Sequence, residues 1–173
     1  MRTATATGTS TSGKWGKKMS VTIETAKLMV EHLKGIVPDA EVRRTYWVAC
    51  DPSELDELGK IALCVEPVGR DAERYTNGGM QKHELAVDIF VYKKLNHMND
   101  EHDVLVAEID ELVAFAEKIY ALFLKKVEKN ERGMKAAFMQ PEHVVLVDSE
   151  MLKHNCFLSV VRVNAEVYVK PEV

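Results

Sequence analysis

Two runs in which apolar residues recur at alternate positions, with a mixed opposite face, constrain this chain more than any other feature. In His83 to Lys94, Leu85, Val87, Ile89 and Val91 alternate with Glu84, Ala86, Asp88, Phe90 and Tyr92. In Asn155 to Lys170, Phe157, Val161, Val163, Ala165, Val167 and Val169 alternate with polar residues such as Arg162, Asn164 and Glu166. Successive side chains of a strand point to opposite faces, so a period of two over such lengths calls for long strands with one face on a core. The other face carries Phe90, Tyr92, Leu158, Val160 and Tyr168. Either a partner covers these residues, or they support a helix or sit singly in solvent.

Helical spacing supplies the covering layer. Ser20 is placed to cap a helix carrying Ile23, Ala26, Met29, Val30 and Leu33, with Pro38 at its exit. From Asp103 to Lys129, the residues Leu105, Ile109, Leu112, Ala116, Ile119 and Phe123 mark one face of a helix of roughly 40 Å that should lie across a sheet. Asn130 to Gly133 stops it. Glu41 to Cys50 reads as a strand, Asp51 to Gly59 as a polar connection, and Lys60 to Val68 as a second strand ended by Pro67 and Gly69. A hairpin is the economical pairing; it sets Cys64 opposite Tyr46, so a Cys50–Cys64 disulfide would need another register.

A loop from Arg70 to Met80, containing Asn77-Gly78-Gly79, leads into the long strand. After Pro141, His143 to Val147 forms a strand antiparallel to the last one through a polar turn at Asp148 to His154. With no βαβ series, this order predicts an α+β fold: a mostly antiparallel or mixed sheet of about five strands with two main helices packed on one face.

Of 173 residues, 46% are hydrophobic, enough for a core, and the formal net charge is −4. That sum is uneven. Residues 1–19 contain Arg2, Lys14, Lys17 and Lys18 and no acid, which leaves 19 basic against 27 acidic residues in the remainder, or −8. The Thr/Ser-rich arm, with Trp15 as its one large apolar residue, buries too little to order itself and is expected to be flexible or to anchor on a neighbouring subunit. The expected organisation is an arm over 1–19 and a single domain over 20–173. Three cysteines are too few for a disulfide framework and point to a reducing, intracellular setting. No apolar run approaches the roughly 18 residues of a membrane span, so no membrane partner is expected.

The residues announce little chemistry. Gly78-Gly79 precedes a strand, whereas a phosphate-binding loop precedes a helix. His97, Asp100, His102 and Asp103 are the one tight group with metal-binding residue types; as a polar connection before a helix they also serve as caps and dipole partners. Cys50, Cys64 and Cys156 lie in or beside apolar strands, and His154 falls on the face of Cys156 with no third group to orient it. Asp51, Glu54, Asp56 and Glu57 form a solvated acidic connector. No catalytic residue, metal or cofactor is expected.

In this order of elements, residues 20–170 resemble the tail-terminator and tail-completion proteins of long-tailed bacteriophages. The resemblance lies in the opening helix with Thr25-Ala26-Lys27-Leu28, the strands Val42 to Val48 and Ile61 to Val65, the run Leu85-Ala86-Val87-Asp88-Ile89-Phe90-Val91, the amphipathic helix after it, and the closing strand Phe157 to Val169. It implies a non-enzymatic virion protein, assembled in the host cytoplasm. Such a protein forms a ring, usually a hexamer, that caps the tail tube and joins it to the head-side connector. Its partners would be its own copies, the tube protein and a head-completion or neck protein, with DNA only as passing cargo. The acidic body suits a channel that does not grip DNA. Arg70, Arg74, Tyr75 and Asn77 in one loop, and Arg132, Met134 and Phe138 in another, are the expected contacts between protomers or with the tube. The alternative reading is a small α+β enzyme or ligand-binding domain with a metal or ligand near His97–Asp103.

Overall fold

Ser20 caps the first helix as its position suggests, its Oγ accepting from the Ile23 N–H, and Thr25, Ala26, Met29, Val30 and Leu33 form the buried stripe. The computed structural model describes residues 20–47, 60–75, 79–96, 102–124, 126–129 and 134–170. The elements are α1 (Val21–Ile36), β1 (Glu41–Arg44), β2 (Ala62–Tyr75), β3 (Gln81–Lys94), α2 (His102–Leu122), β4 (Lys126–Lys129), β5 (Lys135–Val145), α3 (Ser149–Lys153) and β6 (Cys156–Val169). The strands form one sheet in the order β1-β2-β3-β6-β5-β4. β1 runs parallel to β2 and every other neighbouring pair is antiparallel. The fold is α+β, with the mixed sheet curled into an open half-barrel.

The two alternating runs, β3 and β6, lie side by side at the centre and pair from Gln81↔Val169 to Lys94↔Cys156. Their alternation turns Leu85, Val87, Ile89 and Val91, with Phe157, Val161, Val163 and Val167, toward the same core as the buried stripes of α1 and α2. Leu112, Ala116 and Ile119 of α2 and the adjoining Phe123 complete it. Burying each such Leu, Ile, Val or Phe stabilises the fold by about 1.5–3 kcal/mol, so this one interface dominates.

Several boundaries differ from the sequence expectation, each for a physical reason. β1 and β2 are not a hairpin: Glu41 pairs with Ala62 and Arg44 with Val65 in parallel, and Cys64 faces Arg43 instead of Tyr46. Parallel neighbours need a crossover of a dozen or more residues, which the stretch between Arg44 and Ala62 supplies. β2 continues through Pro67 and Gly69, and β5 begins before Pro141 and runs through it. At both prolines the outer neighbour has ended, since β1 last pairs at Val65 and β4 at Phe138, so no ladder on that side needs the missing N–H. Bulges between Pro67 and Gly69 and between Met139 and Glu142 absorb the irregularity.

The long helix stops at Leu122, where the Phe123 and Leu124 N–H groups bond three residues back and tighten the last turn. Lys126–Lys129, expected in that helix, form the edge strand β4 instead. The turn at Asp148 to His154 holds a short helix, capped by Asp148 Oδ1 accepting from the Glu150 and Met151 N–H groups at 2.9 and 3.1 Å. Asn155, in the left-handed region at φ 61°, hands the chain to β6.

Candidate functional site

The face of β3 and β6 turned away from α1 and α2 divides into two halves. At one end Tyr92, Cys156, Leu158 and Val160 form a second, small core with Ala62 and Cys64. Trp47 stacks on Phe90 with ring centroids 5.0 Å apart and an interplanar angle of 2°, and Met151 of α3 packs alongside. The Trp47 N–H donates to Glu66 Oε2 at 2.7 Å, which holds the indole over the sheet. Tyr92, Leu158 and Val160 are therefore buried within the chain; the sequence left open whether they met a partner. A lone strand pattern cannot show a cover that comes from a residue more than forty positions away.

The other half is polar and open, and its rows follow from the register. Asp88 lies opposite Arg162, and Arg162 opposite Glu142. Arg162 Nε and Nη2 donate to the two Asp88 oxygens at 2.8 and 2.9 Å, a two-point pair across adjacent strands. Two rows away, Lys82 donates to Glu166, and the Tyr168 hydroxyl donates to the other Glu166 oxygen at 2.9 Å. Glu84, also bonded to Lys82 at 3.2 Å, lies opposite Glu166.

Between these charged rows runs an uncharged one. Gly69 pairs with Ala86, Ala86 with Asn164, and Asn164 with Met139, across four strands. A cleft of about 390 Å³ follows this row, with Glu84 and Glu166 along one side.

The charges are locked in place. The hydrogen bond from Lys82 holds the Glu166 carboxyl below its ordinary pKa, and Glu166 in turn raises Lys82. Tyr168 is raised because its hydroxyl donates to Glu166, and Arg162 is raised by its bond to Asp88. A carboxylate held ionised in this way is a poor proton donor near neutral pH, so Glu166 is arranged to recognise charge better than to transfer protons.

The Asp88–Arg162 pair bears on stability, because Asp88 is buried and Arg162 partly so. Asp88→Ala is expected to lower unfolding free energy by about 2–3 kcal/mol by leaving the guanidinium without its acceptor. Asp88→Leu with Arg162→Met should lose less than the two single changes Asp88→Leu and Arg162→Met added together. A urea-denaturation double-mutant cycle checks this; additive losses would show the two groups to be uncoupled.

The residues singled out in the sequence scatter. Arg70, Arg74 and Tyr75 do not lie in a loop; they occupy the second half of β2, opposite Leu85, Lys82 and Gln81, and their side chains lie outside the described residues. Asn77 and Arg132 also lie outside them. Met134 and Phe138 are not at a surface: they are 1% and 0% exposed, inside the main core. Phe138 meets Phe123 edge-on at 5.3 Å. Cys64 and Cys156 are buried thiols, and Cys156 Sγ lies 3.1 Å from the Tyr92 hydroxyl. His154 caps α3 and is not a strand residue, so strand alternation does not pair it with Cys156.

His102 and Asp103 are exposed in the first turn of α2, while His97, Asp100, Cys50 and the acids Asp51, Glu54, Asp56 and Glu57 lie outside the described residues. Among the described residues no group of three His, Cys, Asp or Glu converges as a metal site, and no helix is long and apolar enough to cross a membrane. The polar rows around the cleft were missed because their residues were read only as the outward positions of strands. Cross-strand register, which brings Glu84 to Glu166 and Asp88 to Arg162, is what turns them into a surface. Comparison with protein-family models and with curated proteins finds no match to this chain.

Proposed function

We propose that the chain is a structural subunit of a bacteriophage tail or neck, assembling with its own copies into a closed, six-membered ring that caps the tail tube and meets the head-side connector. The observation that supports this reading best is how the sheet ends. On one side β2 runs on from Glu66 to Tyr75 beyond its last pairing with β1, and on the other β5 runs on from Met139 to Val145 beyond β4. Among the described residues no strand pairs with the outer side of either stretch, the inner sides being held by β3 and β6. Strand edges at opposite ends of one sheet favour a head-to-tail contact, which closes into a ring when the rotation between copies is right. Pro67, Pro141 and their bulges break each edge into short lengths, which works against open-ended sheet growth.

Val144 and Leu146, both exposed at the end of β5, add apolar area beside that edge. In a ring of this kind the acidic body lines or borders a DNA passage without holding the DNA. The test is a mixture of the purified chain with polymerised tail-tube protein viewed by negative stain. Rings seated on tube ends are the expected result; tubes with bare ends at saturating chain concentration would overturn the tail assignment.

A further inference from the structure

We propose that the cleft on the open half of the sheet is the docking site for the basic arm of a neighbouring copy, with Trp15 seated on the Ala86–Gly69 row beside Met139 and the flanking lysines on Glu84 and Glu166. This rests on the proposed self-assembly and not on the viral role. The match has two independent parts. Three interstrand steps, from Gly69 through Ala86 and Asn164 to Met139, give a trench about 14 Å long, the span of roughly four extended residues. Beside the Asn164 amide its floor leaves room for a ring: a Cβ placed on Gly69 would meet nothing within 4 Å, and Met139, 38% exposed, offers its thioether to an aromatic neighbour. Its rim is acidic.

The arm carries the complementary pattern, Lys14-Trp15-Gly16-Lys17-Lys18, an aromatic residue bracketed by cations within five positions, and residues 1–19 contain no acid. Glu84 is 42% exposed, so its carboxylate is open to a further cation besides Lys82.

Reach favours the arm of another copy. α1 begins at Val21, immediately after Ser20, and packs on the opposite face of the sheet from the cleft. Five residues from Trp15 to Ser20 span at most about 18 Å. Crossing from a helix layer to a ring docked beneath the sheet takes on the order of 15 Å in a straight line. A real path must also pass round an edge strand, which uses up the remaining length and favours the arm of another copy.

The experiment replaces Trp15 with a photo-activatable phenylalanine analogue in the full chain, irradiates the assembled protein and maps cross-links by mass spectrometry. Cross-links between copies, from position 15 to Ala86, Met139 or their neighbours, are expected. In parallel, Glu84→Lys should weaken assembly roughly tenfold at low salt while circular dichroism shows the chain still folded. Cross-links within one chain, cross-links to another surface, or none in an assembled sample would overturn the docking site while leaving self-assembly standing. A chain that stays monomeric would remove both.

Discussion

Phe138→Ala is expected to lower the unfolding free energy by about 3–5 kcal/mol, the usual loss for removing a fully buried aromatic ring from a core that cannot collapse around the gap. The side chain is 0% exposed. It joins three elements: it stands on β5, meets Phe123 edge-on at 5.3 Å beyond the end of α2, and Phe123 in turn meets His32 of α1 at 5.8 Å. Removing the ring therefore loosens the sheet from both helices at once. For a domain of this size the melting temperature should fall by roughly 10 °C or more. Calorimetry or chemical denaturation measures it. Unchanged stability with impaired assembly would instead place Phe138 at a contact between copies, as its residue type and position in sequence suggested.

Glu108→Ala is the second large effect, about 2–4 kcal/mol. Glu108 is a buried carboxylate, 7% exposed, in the second turn of α2. It accepts from the Asn96 backbone N–H at 3.1 and 3.2 Å, from the Asn96 side chain at 3.3 Å, and from Lys93 Nζ at 2.9 Å. It thus ties the end of β3 to the helix that follows. Alanine leaves an ammonium and a backbone N–H without their acceptor in a poorly solvated place. Glu108→Gln keeps an acceptor and loses the charge, so it should lose about half as much. Urea denaturation of the three proteins gives the ranking; a loss below 1 kcal/mol for alanine would contradict the buried anchor.

What could be read from the residues alone was whatever repeats with a fixed period. Ser20 before an apolar stripe marked α1, and the alternations in β3 and β6 marked the central strands and which of their faces meets the helices. What escaped depended on neighbours in space. Pro67 and Pro141 look like strand ends, and only the positions where β1 and β4 stop pairing show why the chain passes through them. Val127 continues the spacing of Phe123 by four, so the helical pattern has no visible end at Leu122 even though the chain turns there to run beside β5. Met134 and Phe138 read as contact residues from their type and expected exposure in a loop, yet both belong to the core.

The candidate surface was the least legible part. Glu84 and Glu166 are 82 positions apart in the chain and meet only through the register of β3 and β6. The uncharged row between the charged ones emerges from four strands together.

Self-assembly is the central claim, and the mass of the purified chain in solution tests it most directly. Light scattering coupled to size exclusion, at several concentrations and at low salt, is predicted to give one discrete species at six times the 19.5 kDa of the chain. A constant 19.5 kDa species across the whole concentration range would contradict it.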